Sequence, residues 1–259
     1  GPAATTLPKC KQSRESGMVG LLMTRPYDAA QRFVSELPAA LIGDLEVIYS
    51  PLLKVQSLNE TIDLEGFSAV VFTSSNGVSV AARSVGRVSL RAYCLGERTT
   101  LAAEKAGWQS QFCGMTADDL VSDLLKRRPS GRMLHLRGQH SRGDVAARLS
   151  KAGLDCREQV IYDQLVLPLT NEASTALSLS GDLVVPLFSP RTARQFADLC
   201  PQGAPIHLIA MSDAVANHLK LLKYKDLKIC MNPEALSMQR LVRQVAEQLV
   251  RVESGGLAQ

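Results

Sequence analysis

Hydroxyl side chains gather where an apolar run gives way to a helix-forming segment. Val70-Val71-Phe72 leads into Thr73-Ser74-Ser75-Asn76-Gly77, and Val184-Val185-Pro186-Leu187-Phe188 leads into Ser189-Pro190-Arg191-Thr192. Leu95-Gly96-Glu97-Arg98-Thr99 and Ile209-Ala210-Met211-Ser212-Asp213 form a second such junction in each block. Ligands of open α/β sheets bind beyond the carboxyl ends of the strands, where helix N-termini present unpaired N–H groups and a partial positive charge. A carboxylate or phosphate suits such an end. Thr73, Ser74, Ser75, Thr99, Ser189 and Ser212 are therefore candidate anion contacts. The same residue types cap helices everywhere, and one side chain can do both.

Arginine adds bidentate carboxylate recognition. Arg25, Arg98, Arg137, Arg142 and Arg191 fall at or just past apolar runs, and Arg25 and Arg137 each end one directly. Tyr162, in the extended stretch 157–169, carries a phenol able to share a proton with a leaving group. Of the histidines, His135 and His207 lie inside apolar runs and read as core residues, and a catalytic histidine is not indicated. His140, in a Gly-flanked loop, is the candidate for ligand contact.

Other chemistries lack their signatures. Gly138-Gln139-His140-Ser141-Arg142-Gly143 has the glycine spacing of a phosphate-binding loop, but Asp144 and Val145 stand where Lys and Ser or Thr are required. No G-x-G-x-x-G follows a strand and no G-x-S-x-G surrounds a serine, which removes the dinucleotide and hydrolase readings. Six cysteines, Cys10, Cys94, Cys113, Cys156, Cys200 and Cys230, form no C-x-x-C pair, and no paired histidines offer metal-ligand spacing. They read as buried thiols, and no metal is expected.

The elements that must position these residues follow from periodicity. Short Val/Ile/Leu runs alternate with helix-period segments nearly from end to end, the pattern of parallel βα units with helices on both sheet faces. Expected strands are Val19–Met23, Glu46–Tyr49, Ala69–Phe72, Ala92–Leu95, Arg132–Leu136, Leu183–Leu187, Ile206–Ile209 and Leu227–Cys230. Expected helices are Asp28–Leu37, Gly77–Val85, Arg98–Ala106, Ala117–Lys126, Asp144–Ala152, Arg191–Leu199, Asp213–Leu222 and Ala235–Val250. Tyr49–Leu64 and Asp155–Thr170 interrupt the alternation and look like two crossover strands. The expected domains are then 18–52 with 169–259, and an inserted 53–168.

At 259 residues two modest domains are the working division. A net charge of +4, with basic residues scattered rather than in runs, favours an anionic small molecule over nucleic acid. No apolar run reaches the ~18 residues of a membrane span and no signal peptide is visible, so no membrane partner is expected and the cytoplasm is the default. Residues 1–17 lack periodicity and precede a natural start at Met18; they are read as expression-derived or disordered.

Taken in order, Thr24-Arg25-Pro26, the Thr73–Val78 segment, Leu95–Thr99, Leu134-His135-Leu136-Arg137-Gly138, Val160-Ile161-Tyr162, Leu187–Ala193 and Ala210–Ala216 resemble the uroporphyrinogen-III synthase family over Met18 to about Val250. Pro186-Leu187 and Met211 depart from the usual pattern. The resemblance implies two flavodoxin-like (Rossmann-like) parallel-sheet domains joined by a two-stranded linker, the second inserted into the first, with the active site in the cleft between them and substantial domain motion. It implies a monomeric, cofactor-free lyase that closes hydroxymethylbilane to uroporphyrinogen III with loss of water. Ring D is inverted through a spiro intermediate, and a transient contact with hydroxymethylbilane synthase is admitted. Tyr162 would then be the proton donor to the departing hydroxyl, and Arg25, Thr73, Ser74, Ser75, Asn76, Thr99, Arg137, Gly138, Ser189, Arg191 and Ser212 the substrate contacts. The rival from another class is a two-lobed protein that binds an anionic small molecule without catalysis; a sugar-phosphate or nucleotide transferase is disfavoured by the missing phosphate loop.

Overall fold

The computed structural model describes residues 18–179 and 181–256; the segment 1–17 and its Cys10 lie outside them. From the amino end the elements are β1 (Val19–Met23), α1 (Tyr27–Ser35), α2 (Ala39–Gly43), β2 (Leu45–Tyr49), β3 (Leu53–Ser57), β4 (Phe67–Phe72), α3 (Ser75–Val85), β5 (Arg91–Cys94), α4 (Glu97–Lys105), β6 (Gln109–Phe112) and α5 (Ala117–Arg127). They continue with β7 (Arg132–Gly138), α6 (Val145–Lys151), β8 (Cys156–Val166), α7 (Asn171–Ser178), β9 (Leu183–Leu187), α8 (Pro190–Leu199), β10 (Ile206–Ala210), α9 (Asp213–Asn217), β11 (Asp226–Ile229) and α10 (Ala235–Gly256). The fold is mixed α/β. It divides into two compact units, one running to Lys54 and resuming at Val166, the other Val55–Leu165.

The first unit holds a five-stranded sheet of order β11-β10-β9-β1-β2, and the second a six-stranded sheet of order β3-β8-β7-β4-β5-β6. Pairing is parallel along β2-β1-β9-β10-β11 and along β8-β7-β4-β5-β6. Strand alternation buries both faces. Val19, Leu21 and Met23 join one core cluster while Leu22 joins the other, and in the second unit Ala69 and Val71 face one cluster while Val70 and Phe72 face its opposite. Such two-sided burial is why these strands read as continuous apolar runs.

Several elements differ from the sequence expectation. α2 follows Pro38, which presets the φ of a helix start. β6 reads Gln-Ser-Gln-Phe and occupies a sheet edge with one neighbour, so no apolar run marks it. α7, capped by Thr170, falls just past the expected crossover. α9 ends at Asn217 rather than Leu222, because His218, Leu219 and Leu222 bond three residues back instead of four, tightening the chain into turns. Pro186 interrupts nothing toward β10, where pairing runs through Leu187, but the β1 ladder stops at Leu21↔Val184. Proline has no N–H to donate there.

At the amino ends of β9, β10 and β11, Asp182 Oδ1 meets His207 Nε2 at 2.9 Å and accepts from Lys225 Nζ at 3.1 Å. Burial opposes the ionised carboxyl, yet hydrogen bonds from His207 and Lys225 hold it below its ordinary value. A depressed folded-state carboxylate contributes stability above its unfolded value that is lost as pH falls through the folded one. Asp182→Asn should therefore lower the melting temperature at about pH 7 and by less at about pH 3, where the unfolded carboxyl is already largely protonated. Equal losses at both pH values would mean that packing, not charge, matters there.

Candidate functional site

The second unit brings one group of predicted residues together at the carboxyl end of β4. Ser74 is the N-cap of α3, its Oγ accepting from Gly77 N at 3.2 Å. The same Oγ lies 2.7 Å from the Tyr162 hydroxyl, and either oxygen can be the donor. Thr73, one residue earlier, points to the opposite sheet face and meets His135 Nε2 at 3.0 Å. Ser75 and Asn76 form the first turn of α3 and are half-buried.

Tyr162 owes its direction to a fault in the sheet. β7 and β8 pair regularly up to Arg137↔Val160, then shift so that Gly138 faces Tyr162 and Ile161 is skipped. A bulge of this kind re-aims a side chain, and Ile161 and Tyr162 consequently pack into the same cluster. The ring then lies over Gly138, where an added Cβ would come within 2.6 Å of ring carbons. Burial pushes the phenol above its ordinary value and the Ser74 bond draws it partly back. The hydroxyl is thus kept protonated.

Arg137 behaves differently from a free carboxylate clamp. Its Nε and Nη2 donate to Glu158 Oε2 and Oε1 at 3.1 and 3.2 Å, and Nη1 donates to Gly138 O at 2.9 Å. The guanidinium thereby ties β7 to β8 and secures the backbone beside Tyr162. Thr99 is buried in the first turn of α4, whose N-cap is Gly96 at φ 85°, a left-handed value open to glycine. Arg98, Arg142 and His140 are exposed, and His140 reaches only Asp163 at 3.7 Å.

In the first unit Ser189 caps α8, accepting from Thr192 N at 3.2 Å and donating to Thr192 Oγ1 at 2.9 Å. Ser212 caps α9 by accepting from Val215 N at 3.3 Å. Arg25 lies over the Phe188 ring at 4.0 Å, joining the ends of β1 and β9, while Arg191 occupies the first turn of α8. Thr24, beside Arg25, is buried and its Oγ1 has no partner in the structure.

Five cysteines among the described residues are free and buried. Burial pushes the thiols of Cys94, Cys113 and Cys156 up to about 12, far from nucleophilic use. Among the described residues no group of three or more His, Cys, Asp or Glu side chains could hold a metal. Cavities of the second unit lie elsewhere, one of about 320 Å³ beside Arg83 and Ser84 and one of about 540 Å³ beside Arg132 and Asp155. Neither includes a predicted site residue. His135, read from its apolar run as a core residue, is buried, and the β4–β7 register places it next to Val71 and hence on the face of Thr73, a contact its local sequence does not signal.

The family model described as uroporphyrinogen-III synthase HemD matches residues 40–240. No curated protein matches the sequence. A solved uroporphyrinogen-III synthetase of Helicobacter pylori superimposes with a TM-score of 0.64 at 16% identity, covering 88% of this chain and 100% of that one. A mutant uroporphyrinogen III synthase of Thermus thermophilus gives a TM-score of 0.47 at 12% identity, covering 89% of this chain and 99% of that one.

Proposed function

The chain belongs to the uroporphyrinogen-III synthase family, and from that premise we propose that it closes hydroxymethylbilane to uroporphyrinogen III with loss of water and inversion of ring D. Loss of the terminal hydroxyl gives an azafulvene cation. The last pyrrole attacks it through its substituted carbon, and the resulting spiro intermediate fragments and recloses inverted. Because the bilane also closes spontaneously to the uninverted isomer, holding it in the productive fold outweighs any single acid or base.

The carrying observation, beside the family match, is the pair of hydrogen-bonded hydroxyls at the end of β4, Thr73 with His135 and Ser74 with Tyr162. Thr73, Ser74, Ser75, Asn76, Thr99, Gly138, Ser189, Arg191, Ser212 and Arg25 take up the carboxylate arms of the substrate. Tyr162 donates toward the departing hydroxyl, and Arg137 acts through the backbone it secures. The strand order of the first unit supports a flavodoxin-like domain, since it reads 2-1-3-4-5 in that unit's own numbering, with its switch point between β1 and β9. The second unit, inserted through β3 and β8, reads 3-2-1-4-5 over β4–β8, which matches the Rossmann order over its first five strands. A monomer working in the cytoplasm, in transient contact with hydroxymethylbilane synthase, completes the reading. Among the described residues no helix is long and apolar enough to cross a membrane.

The test supplies fresh hydroxymethylbilane, oxidises the products to porphyrins and separates the isomers. An excess of type III is expected; type I alone, at the spontaneous rate and with folded protein, overturns the reading and leaves a binding protein. Tyr162→Phe should slow type III formation roughly tenfold without abolishing it, because the ring still fills its place over Gly138 and positioning carries most of the rate. Complete loss in a folded variant would mark Tyr162 as an essential acid.

A further inference from the structure

His135 sits on β7 directly beside Val71 of β4, and Thr73, two residues on and just past the strand end, reaches it from the same face. The imidazole is 1% exposed. Its Nε2 lies 3.0 Å from Thr73 Oγ1, while Nδ1 is buried with no hydrogen-bond partner. We propose that His135 is a positioning residue which donates Nε2–H to Thr73 Oγ1 and so leaves the Thr73 hydroxyl hydrogen free to donate to a substrate carboxylate.

A neutral imidazole has one N–H and one lone pair. If the proton sat on Nδ1, a buried donor would be stranded and the Thr73 hydrogen would be consumed by Nε2. Buried orphan N–H groups are among the rarest features of folded proteins. With the proton on Nε2, its partner is Thr73 and only a lone pair is left unmatched. The doubly protonated ring is worse, since it must strand a donor and bury a charge. Burial accordingly pushes the imidazole down to about 4, with Arg137 adding to the fall and Glu158 opposing it. The ring therefore stays neutral at the pH at which the bilane's carboxylates are ionised. Ser74 is held on the opposite face by Tyr162, so two adjacent hydroxyls have orientations set from the two sides of one sheet.

This rests on the functional reading above, and the test separates the two. In unliganded protein, ¹⁵N shifts of the His135 ring should report the Nε2–H tautomer, without titration between about pH 5.5 and 8. His135→Leu, a buried apolar replacement, should lower kcat/KM for type III formation about tenfold, mainly through KM, as expected for losing one hydrogen bond to a charged group. His135→Gln, which can return an N–H near the Nε2 position, should recover most of it. In a Thr73→Val background His135→Leu should add nothing, because the two side chains act as one unit. An Nδ1–H tautomer overturns the inference, as does a His135→Leu loss of equal size with and without the Thr73 hydroxyl. Absence of type III product from the wild-type protein sinks the functional reading instead, a result distinct from either.

Discussion

Gly138→Ala is expected to reduce type III formation about 10- to 100-fold while both units stay folded. The added Cβ would stand 2.6 Å from Tyr162 ring carbons and 3.0 Å from its hydroxyl, and none of these atoms can remain where it is. The ring is rigid and buried, so relief comes by swinging it away, which breaks the 2.7 Å contact with Ser74. Overpacking of this kind costs about 1–3 kcal/mol, which a folded enzyme survives as a lower melting temperature. The comparison with Tyr162→Phe is informative, since that change removes only the oxygen while this one misplaces the whole ring. An active Gly138→Ala enzyme would show that Tyr162 need not occupy its observed place. Isomer-resolved kinetics with a thermal melt decides it.

Phe72→Ala should destabilise the second unit by about 3–5 kcal/mol, the usual range for a large aromatic lost from a core. Phe72 is fully buried on the last position of β4 and packs edge-on against Trp108, with ring centroids 5.4 Å apart. Trp108 is the sole tryptophan of the chain and belongs to the same core cluster, so its fluorescence follows the unfolding of this unit alone. Urea titration read at Trp108 should show the midpoint falling, while far-UV circular dichroism retains the transition of the other unit. A loss below about 1 kcal/mol would mean that the cluster closes around the vacancy. Because Thr73 and Ser74 follow Phe72 directly, activity should fall at temperatures below the melt.

Much of the architecture is legible in the order of the residues. The alternation of apolar runs with helix-period segments marks the parallel strands, since a strand buried on both faces has no polar residues to interrupt it. The hydroxyls at the junctions are legible for a related reason: a helix start needs a cap, and Ser74, Ser189 and Ser212 supply it. What escapes detection carries weak local signal. β6 is polar because it lies at an edge, α2 spans five residues, and α9 stops early where its bonds span three residues instead of four.

The sequence by itself determined the α/β class, the alternation of most strands with helices and the residue types at each strand end, because these depend on periodicity, capping and turn chemistry over a few neighbouring positions. Partners were decided only by tertiary structure. That Tyr162 meets Ser74 depends on a one-residue bulge between β7 and β8, and that Arg137 is occupied by Glu158 depends on the regular register just before it. His135 reaches Thr73 across 62 positions of chain through the pairing of β4 with β7. A shift of one residue in either pairing would turn these side chains to the opposite face, and register is a property of two strands together that neither strand's sequence displays.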